Sequence, residues 1–313
     1  MSNTIDSSYK QADAVLKSKG RSFYWARFFL SKKHASRATR LYQLCRYVDD
    51  LADESASTLL AKQSLEALKK SLITGQSSNA VVLDGLALLK ECQIDSAVFL
   101  DLITGVQSDL DKVEIANIDS LLRYCYQVAG TVGLMMSKVL DTHNPEAQAH
   151  AIDLGIAMQL TNICRDVAAD ATMNRRYLPA SLVGDVPPHL LIRPEASIKT
   201  NAIKCLFTLL SLSQQYYTSG EQGLFFLPLR ARISMWVASR VYGDIGTKLR
   251  QQHGDYWTRR IIVSPVRKSS ITLVLCSTIP FRSFLWLKPK HHDSRLHHAF
   301  ADFLNQPLKH PSN

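Results

Sequence analysis

Long stretches of this chain repeat apolar residues with the period of an α-helix, and this pattern constrains its fold more than any other feature. Apolar residues that recur every three or four positions lie on one face of a helix, which is then buried. Convincing strand-like alternation is absent and glycine and proline are sparse, so an all-α protein is predicted. The pattern predicts helices over residues 37–54, 58–73, 95–111, 119–140, 145–170, 197–219 and 229–252.

The composition is that of an ordinary globular protein, with 46% hydrophobic and 20% charged residues in 313. Residues 177–194 hold four of the eleven prolines, but the stretch is short and rich in apolar residues. It is interpreted as a loop between helical blocks and not as a domain linker. The six cysteines are scattered singly, which is typical of reduced core cysteines in a cytosolic protein, and the N-terminus has no signal-peptide pattern.

The chain is basic: 37 Lys and Arg against 27 Asp and Glu leave a formal charge of +10. This favours anionic partners, which include nucleic acid, phosphorylated small molecules and acidic membrane surfaces. Neither a strand–GxGxxG–helix unit nor a GxxxxGK[ST] loop occurs, so a Rossmann or P-loop nucleotide site is not expected.

Residues 271–287 are strongly apolar but are interrupted by Pro280 and Arg282. The run is shorter than the roughly 20 apolar residues that a membrane-spanning helix needs. A buried terminal helix is the preferred interpretation. Peripheral membrane contact is the alternative, because the tail beyond this run is rich in Lys, Arg and His.

The first candidate site lies within the segment YQLCRYVDDLADE. Tyr42, Arg46, Asp49 and Asp53 are spaced +4, +3 and +4, which places them along one face of a helix. Two carboxylates one turn apart repel each other unless a cation lies between them. Magnesium suits this position, since it takes one or two carboxylates together with substrate phosphate oxygens.

A second acidic face follows in AMQLTNICRDVAAD, where Gln159, Asn162, Asp166 and Asp170 are spaced +3, +4 and +4, with Arg165 adjacent. One DxxxD alone usually marks a solvated helix surface. Two DxxxD copies on helices whose other faces are predicted to be buried favour a functional site. A facing pair of such helices can hold several magnesium ions around a diphosphate. A helical RNA-binding protein is the weaker alternative, since acidic faces repel phosphate unless metal intervenes.

These two segments, together with YCYQVAGTVGLMM, RRYLPASL and the opening GRSFYWARFFL, resemble the motifs of the phytoene/squalene synthase family. The likeness runs from about residue 15 to about residue 268, in the family's order and spacing. It implies an all-α, isoprenoid-synthase-type helical bundle around a central cavity. The whole chain, residues 1–313, would be one domain, with residues 271–313 as a C-terminal apolar helix and basic tail.

The resemblance also implies roles for individual residues. Asp49, Asp53, Asp166 and Asp170 would hold Mg²⁺, or Mn²⁺, and the diphosphate, with Arg46 and Arg165 as flanking cations. Asn174-Arg175-Arg176-Tyr177 stands where the family commonly has a glycine between two basic residues, a departure that concerns loop geometry and not chemistry. Gly130 and Gly133 either permit close helix packing or border the prenyl tunnel. The implied substrate-binding residues are Ser22, Phe23, Tyr42, Tyr126, Gln159, Asn162, Tyr177, Tyr242 and Arg260.

The implied reaction couples two prenyl diphosphates through a cyclopropyl diphosphate. Within the family the chain is most similar to bacterial phytoene synthases, which implies geranylgeranyl diphosphate as substrate, phytoene as product and no NADPH. A C15 enzyme making squalene or dehydrosqualene shares every motif and stays open. A non-catalytic assembly factor would be favoured by loss of the aspartates, but all four are present. The expected location is the cytoplasm, with no nucleic acid partner; peripheral contact with the inner face of the membrane and contact with downstream carotenoid enzymes stay open.

Overall fold

The structure, a computed structural model, describes residues 12–142, 144–289 and 291–304, and these residues are almost entirely helical. Residues 12–19 form α1. The other helices are α2 (Arg21–Arg27), α3 (Lys32–Asp53), α4 (Thr58–Thr74), α5 (Ala80–Glu91), α6 (Ser96–Ser108), α7 (Ile118–Cys125), α8 (Thr131–Val139), α9 (Pro145–Thr172), α10 (Ala180–Val183), α11 (Ala196–Gln222), α12 (Leu229–Gln251), α13 (Pro265–Thr278) and α14 (Ala301–Leu304).

Many of the longer helices begin at a residue whose side-chain oxygen accepts a backbone N–H from the first turn. This cap satisfies donors that have no partner within the helix and typically stabilises it by about 1 kcal/mol. Short polar residues therefore mark the helix starts that periodicity alone leaves uncertain. The capping residues are Ser31, Ser57, Asn79, Asp95, Asn117, Asn144 and Ser264.

The all-α prediction is confirmed, with differences in detail. Helix α5 was not among the predicted helices. The helix predicted over residues 119–140 is confirmed as a helical run from Ile118 to Val139, with a π-helical turn at Tyr126–Gly130 between α7 and α8. A π turn widens the helix and rotates the residues that follow it. The predicted loop over residues 177–194 contains only the short α10 and one 3₁₀ turn, Pro188–Leu191.

Two-residue strands, β1 (Val113–Glu114) and β2 (Arg175–Arg176), pair in parallel in the register Val113 to Arg175 and Glu114 to Arg176. The pairing joins the segment after α6 to the segment after α9. It therefore brings two stretches some 60 residues apart in sequence to one end of the bundle, next to the end of α9.

Helix α9 is the centre of the bundle and packs against α8, α11 and α12. Of its apolar stripe, Ile156 and Leu160 are fully buried, and one continuous core surrounds them. The six cysteines are free thiols, as expected, although Cys276 is exposed.

The C-terminal region differs from the preferred expectation of a buried terminal helix. Only Lys268 and Leu275 of α13 are buried, while Leu273 is 73% exposed. After α13 the chain continues in short 3₁₀ turns, and residues 291–304 return to the bundle. There Phe300 stacks on Tyr126 with ring centroids 4.9 Å apart. Among the described residues, no helix combines the length and hydropathy that crossing a bilayer requires.

Candidate active site

A cavity of about 350 Å³ runs along one side of α9. It is bordered by α9 from Ala147 to Asn162, a stretch of 16 residues that spans about 22 Å at the helical rise. Polar groups gather at the Asn162 end, and the rest of the wall is mostly apolar. The apolar lining includes Leu102, Val128, Val132, Met136, Leu140, Leu154, Met158, Leu224 and Leu227.

Helix α3 contributes Tyr42 and Asp49 to the polar end of this cavity. Phe23 of α2 covers them and lies 5.0 Å from the ring of Tyr242 on α12. Burial, reinforced by the negative charges of neighbouring aspartates, raises the pKa of Asp49 to about 7, even though the Arg46 charge acts in the opposite direction. A carboxyl group with so high a pKa lacks a sufficient cation in its surroundings.

Helix α9 contributes the second acidic group. Arg165 donates from Nε to Asp166 Oδ1 over 2.9 Å, and Arg260 donates from its own Nε to the same oxygen over 2.7 Å. Burial alone would raise the pKa of Asp166, but the two guanidinium groups outweigh it and the pKa is lowered. One turn later, burial and the Asp166 charge raise the pKa of Asp170 to about 7.

Asp109 and Arg175 are further charged groups near the acidic helices, and the sequence interpretation missed both as site residues. Asp109 follows the last turn of α6 and accepts hydrogen bonds from Tyr177 Oη at 2.7 Å and Tyr124 Oη at 2.8 Å. Arg175 Nη2 donates to Asp53 Oδ1 over 3.1 Å. The β1–β2 pairing places Arg175 here. The basic pair before the YLP element was a usable signal for Arg175, whereas Asp109 belongs to no recognised motif.

Several residues predicted at the site do not line the cavity itself. They are Ser22, Arg46, Tyr126 and Tyr177, and also Asp53, Arg165, Asp166, Asp170 and Arg260, which lie beyond its polar end. The charge of Arg46 nevertheless acts on Asp49 and Tyr42. Arg46 Nη2 lies 2.5 Å from Asp50 Oδ1, on the same helix. Tyr126 is buried against the C-terminal segment, and Tyr124, two residues earlier, reaches Asp109 instead. Residues two positions apart on a helix point about 200° away from each other, so Tyr124 and Tyr126 meet different surroundings.

Asn174 belongs to the loop in which the sequence departs from the family's common glycine, and its backbone conformation accommodates this departure. Asn174 adopts a φ of 58°, in the left-handed region that glycine usually supplies and that asparagine tolerates better than most residues. The chain can therefore turn sharply after α9 without glycine. Arg176 is buried and donates from Nη1 to the backbone oxygens of Ile115 and Leu178, so it holds the loop while Arg175 faces the acidic groups.

The polar end of the cavity fits divalent cations. Asp49 and Asp170 are carboxyl groups that their surroundings do not compensate, as their raised pKa values indicate. Asn162 Oδ1 is buried at the cavity wall, and among the described residues it meets no hydrogen-bond donor. Carboxylate and amide oxygens are the ligands that hard cations such as Mg²⁺ take. Nearby Arg165, Arg175 and Arg260 suit the phosphate oxygens of an anionic substrate.

Comparison with known proteins identifies the family of the chain. The family profile described as Squalene/phytoene synthase matches residues 16–267. A phytoene synthase of Pseudescherichia vulneris is 32% identical over 70% of this chain and 75% of its own length. A 15-cis-phytoene synthase of Pantoea ananas is 30% identical over 82% of this chain and 87% of its own. The crystal structure of a dehydrosqualene synthase superposes with a TM-score of 0.79 at 27% identity, covering 89% of this chain and 98% of that one.

An all-helical bundle with carboxylates and arginines at one end of a long apolar cavity defines the class of protein, a prenyltransferase-type enzyme. The chain belongs to the squalene/phytoene synthase family. The retained aspartates and the enzymatic relatives remove the main support for the assembly-factor alternative.

Proposed function

We propose that this enzyme condenses two molecules of geranylgeranyl diphosphate head to head into phytoene, through a cyclopropyl diphosphate, in carotenoid biosynthesis. The observation that supports the proposal is a group of carboxylates and arginines beside one end of a mostly apolar cavity, which α9 borders over about 22 Å. The relatives named phytoene synthase, at 30–32% identity, support the C20 substrate.

In this proposal the aspartates bind the metal ions and the arginines bind the phosphate groups. Asp49, Asp53, Asp166 and Asp170 hold Mg²⁺, which when bound neutralises diphosphate charge and favours its departure. Arg165, Arg175 and Arg260 each keep N–H donors beyond those that meet the carboxylates, and these donors bind phosphate oxygens.

The cavity wall then protects the reactive carbon chain. Loss of diphosphate leaves an allylic cation, which water would quench, and the apolar lining excludes water. The rings of Phe23, Tyr42 and Tyr242 lie beside the polar end and offer aromatic faces to positive charge. Loss of a proton after the second ionisation would give phytoene, so no hydride donor is needed.

The identity of the reaction product tests this proposal. Purified protein with Mg²⁺ and C20 diphosphate is expected to form phytoene without NADPH, and chromatography with mass detection would identify it. The second candidate is a C15 enzyme, favoured by the likeness to a solved dehydrosqualene synthase. If C20 diphosphate is inert while C15 diphosphate yields dehydrosqualene, or squalene when NADPH is added, the C20 proposal is wrong.

The raised pKa values of Asp49 and Asp170 predict a pH-dependent effect of Mg²⁺ on stability. Both pKa values are about 7 in the folded chain against an ordinary value of 3.8. The stabilisation from their protonated forms is complete below about pH 4 and is lost as the pH rises through 7. Above that pH the ionised carboxylates favour cation binding.

Thermal unfolding with Mg²⁺ and with a chelator would measure this effect. The Mg²⁺-induced rise in Tm is expected to be clearly larger at pH 8 than at pH 6. The Asp49→Asn/Asp170→Asn double variant is the control, and in it the rise should shrink at both pH values. An equal rise at the two pH values in the unmodified enzyme would contradict the assignment.

We propose peripheral contact with anionic membranes through α13 and the turns after it, because both prenyl substrates and phytoene carry long lipid chains. Leu273 and Phe281 are 73% and 84% exposed. Replacing both with Ser is expected to weaken binding to anionic vesicles by about 10- to 100-fold, since each loses an apolar contact with lipid. Leu59→Ser, at an exposed position on α4, is the matched control in vesicle co-sedimentation. Equal binding by the Leu273/Phe281 variant and the control would rule this surface out.

A further inference from the structure

A second cluster of metal-ligating side chains lies far from the aspartate-rich end. Asp153 of α9 is fully buried, and both of its oxygens meet imidazoles of the C-terminal segment. His292 Nε2 lies 2.7 Å from Asp153 Oδ2, and His297 Nε2 lies 2.8 Å from Oδ1. His150, one turn earlier on α9, completes the cluster: a ligand atom from each of His150, Asp153 and His292 lies within 4.8 Å of the other two.

We propose that His150, Asp153 and His292 form a binding site for a transition-metal ion of the Zn²⁺ class, which fastens the C-terminal segment to α9. Two imidazoles with one carboxylate, and a further position open to water, are a ligand set typical of zinc. Magnesium and calcium prefer oxygen ligands, so this cluster differs in chemistry from the aspartate-rich end. It also lies about 18 Å from it, since His150 and Asn162 are 12 residues apart along α9.

Neighbouring groups hold the three ligands in position. Ser219 donates to Asp153 Oδ2 over 2.5 Å, and the Ser219 carbonyl oxygen accepts from His150 Nδ1 over 2.8 Å. His297 holds the other carboxylate oxygen and acts as a positioning residue. Hydrogen bonds of this kind orient the ligands of a metal site and raise its affinity. The cluster has a route from solvent, because His150, Ser219 and His292 line an open groove of about 780 Å³.

The protonation states suit the metal. Burial would raise the pKa of Asp153, but the hydrogen bonds from His292 and His297 outweigh it, so this pKa is lowered and the group is ionised near neutral pH. Burial lowers the pKa of His150, which is therefore a neutral ligand. Binding would replace the proton that His292 Nε2 now shares with Asp153 Oδ2 and release it to solvent.

The contact between Asp153 and His292 needs only a small change to admit the ion, and the His150 ligand atom lies within 4.8 Å of both. Ligand atoms about 2.0 Å from a tetrahedral zinc ion lie about 3.3 Å apart, so the 2.7 Å contact between Asp153 and His292 opens by about half an ångström. His292 belongs to the C-terminal segment and is partly exposed, which allows this adjustment. His150 also lines the substrate cavity, at the end remote from Asp49. The ion would therefore hold the C-terminal segment next to the His150 end of the cavity.

The test measures zinc retained by the full chain, prepared without a histidine tag and with Cys276→Ser to remove the exposed thiol. After metal removal, exposure to Zn²⁺ and extensive dialysis, elemental analysis is expected to find one zinc ion per chain. His292→Gln should lose it, and His297→Gln should weaken zinc affinity about 10- to 100-fold. The matched control is His298→Gln in the same segment, whose exposed ring contacts Asp119 and not Asp153, and it should retain the ion.

A second measurement follows the segment itself. Bound Zn²⁺ is expected to slow tryptic cleavage after Arg295, an exposed residue between His292 and His297, in the unmodified chain and in His298→Gln, but not in His292→Gln. Failure of the unmodified chain to retain zinc would mean that the cluster is only a hydrogen-bonded His–Asp network and would overturn the proposal. Equal retention by His292→Gln, or loss of zinc in Asp49→Asn/Asp170→Asn, would overturn it as well. None of these readouts depends on which prenyl diphosphate the enzyme uses.

Discussion

Replacing Asp49 or Asp170 with Asn is expected to lower turnover about a thousandfold or more while leaving the fold intact, since several kcal/mol of charge stabilisation at the ionisation step would be lost. Asn keeps the shape of the side chain but removes the charge that would face the metal. Because burial and like charges raise the pKa of both groups to about 7, neutralising them removes an unfavourable ionisation. The free energy of unfolding without metal should therefore stay equal or increase above pH 7.

Asp166→Asn is expected to lower turnover to a similar extent. Its effect on the free energy of unfolding should differ from that of the Asp49 and Asp170 variants. Asp166 is already compensated by Arg165 and Arg260, and its pKa is lowered. Neutralising it leaves two guanidinium groups without their shared anion, so a modest loss of stability accompanies the loss of turnover. Comparing Asp166→Asn with Asp170→Asn therefore separates an ion-paired carboxylate from an uncompensated one on the same helix.

Turnover against Mg²⁺ concentration, with thermal unfolding at pH 8, is the measurement. Asp50→Asn is the matched control on α3. Asp50 pairs with Arg46 in a half-exposed contact, and such pairs contribute at most about 1 kcal/mol. Its effect on turnover should be mild, because it points about 100° away from Asp49 around the helix. A stable, nearly fully active Asp53→Asn or Asp166→Asn enzyme would mean that these helices are not the active site.

Adding one methyl group at Gly155 or Gly133 is expected to destabilise the protein by about 1–3 kcal/mol or more. A Cβ at Gly155 would lie 2.2 Å from Ala129 O, and one at Gly133 would lie 2.0 Å from Ala151 O. These obstacles are backbone atoms, which cannot rotate away as a side chain can. The two helical segments would have to separate, which would open the most closely packed part of α9.

Gly243→Ala provides the matched control. Gly243 lies inside α12, and a Cβ there would meet its nearest neighbour, Tyr217, at an ordinary 3.8 Å. This substitution should stabilise the protein by about 0.5–1 kcal/mol, because alanine is the better helix former. Denaturant unfolding of the three variants would measure the contrast. A Gly155→Ala protein as stable as Gly243→Ala would show that the π turn at Tyr126–Gly130 and α9 are not held together by close backbone contact.

The close contact between Gly133 and α9 bears on the two interpretations of this residue, helix packing and bordering of the prenyl tunnel. Gly133 lines the cavity, and the space that an added Cβ would need is occupied by the backbone of α9. The residue therefore serves packing and borders the cavity at once. Gly130 is less restricted, since its nearest neighbours are side-chain atoms of Tyr126 and Ile152 at 3.0 and 3.2 Å.

The sequence by itself determined the helical class, most helix positions and the two acidic faces. Helix periodicity and capping depend on residues within a few positions of each other, so α3 and α9 could be read directly from the chain. The +4 spacing that places Asp49 and Asp53 on one face, and Asp166 and Asp170 on another, is a local property as well.

Only the tertiary structure decided what gathers around these faces. Asp109 and Arg175 join the site because β1 and β2 pair across about 60 residues, and Tyr124 of α7 reaches Asp109 at the end of α6. The contact between His292 and Asp153 spans 139 positions. Such contacts leave no periodic pattern in the sequence, because they depend on how whole helices pack and not on the spacing of neighbours along one of them.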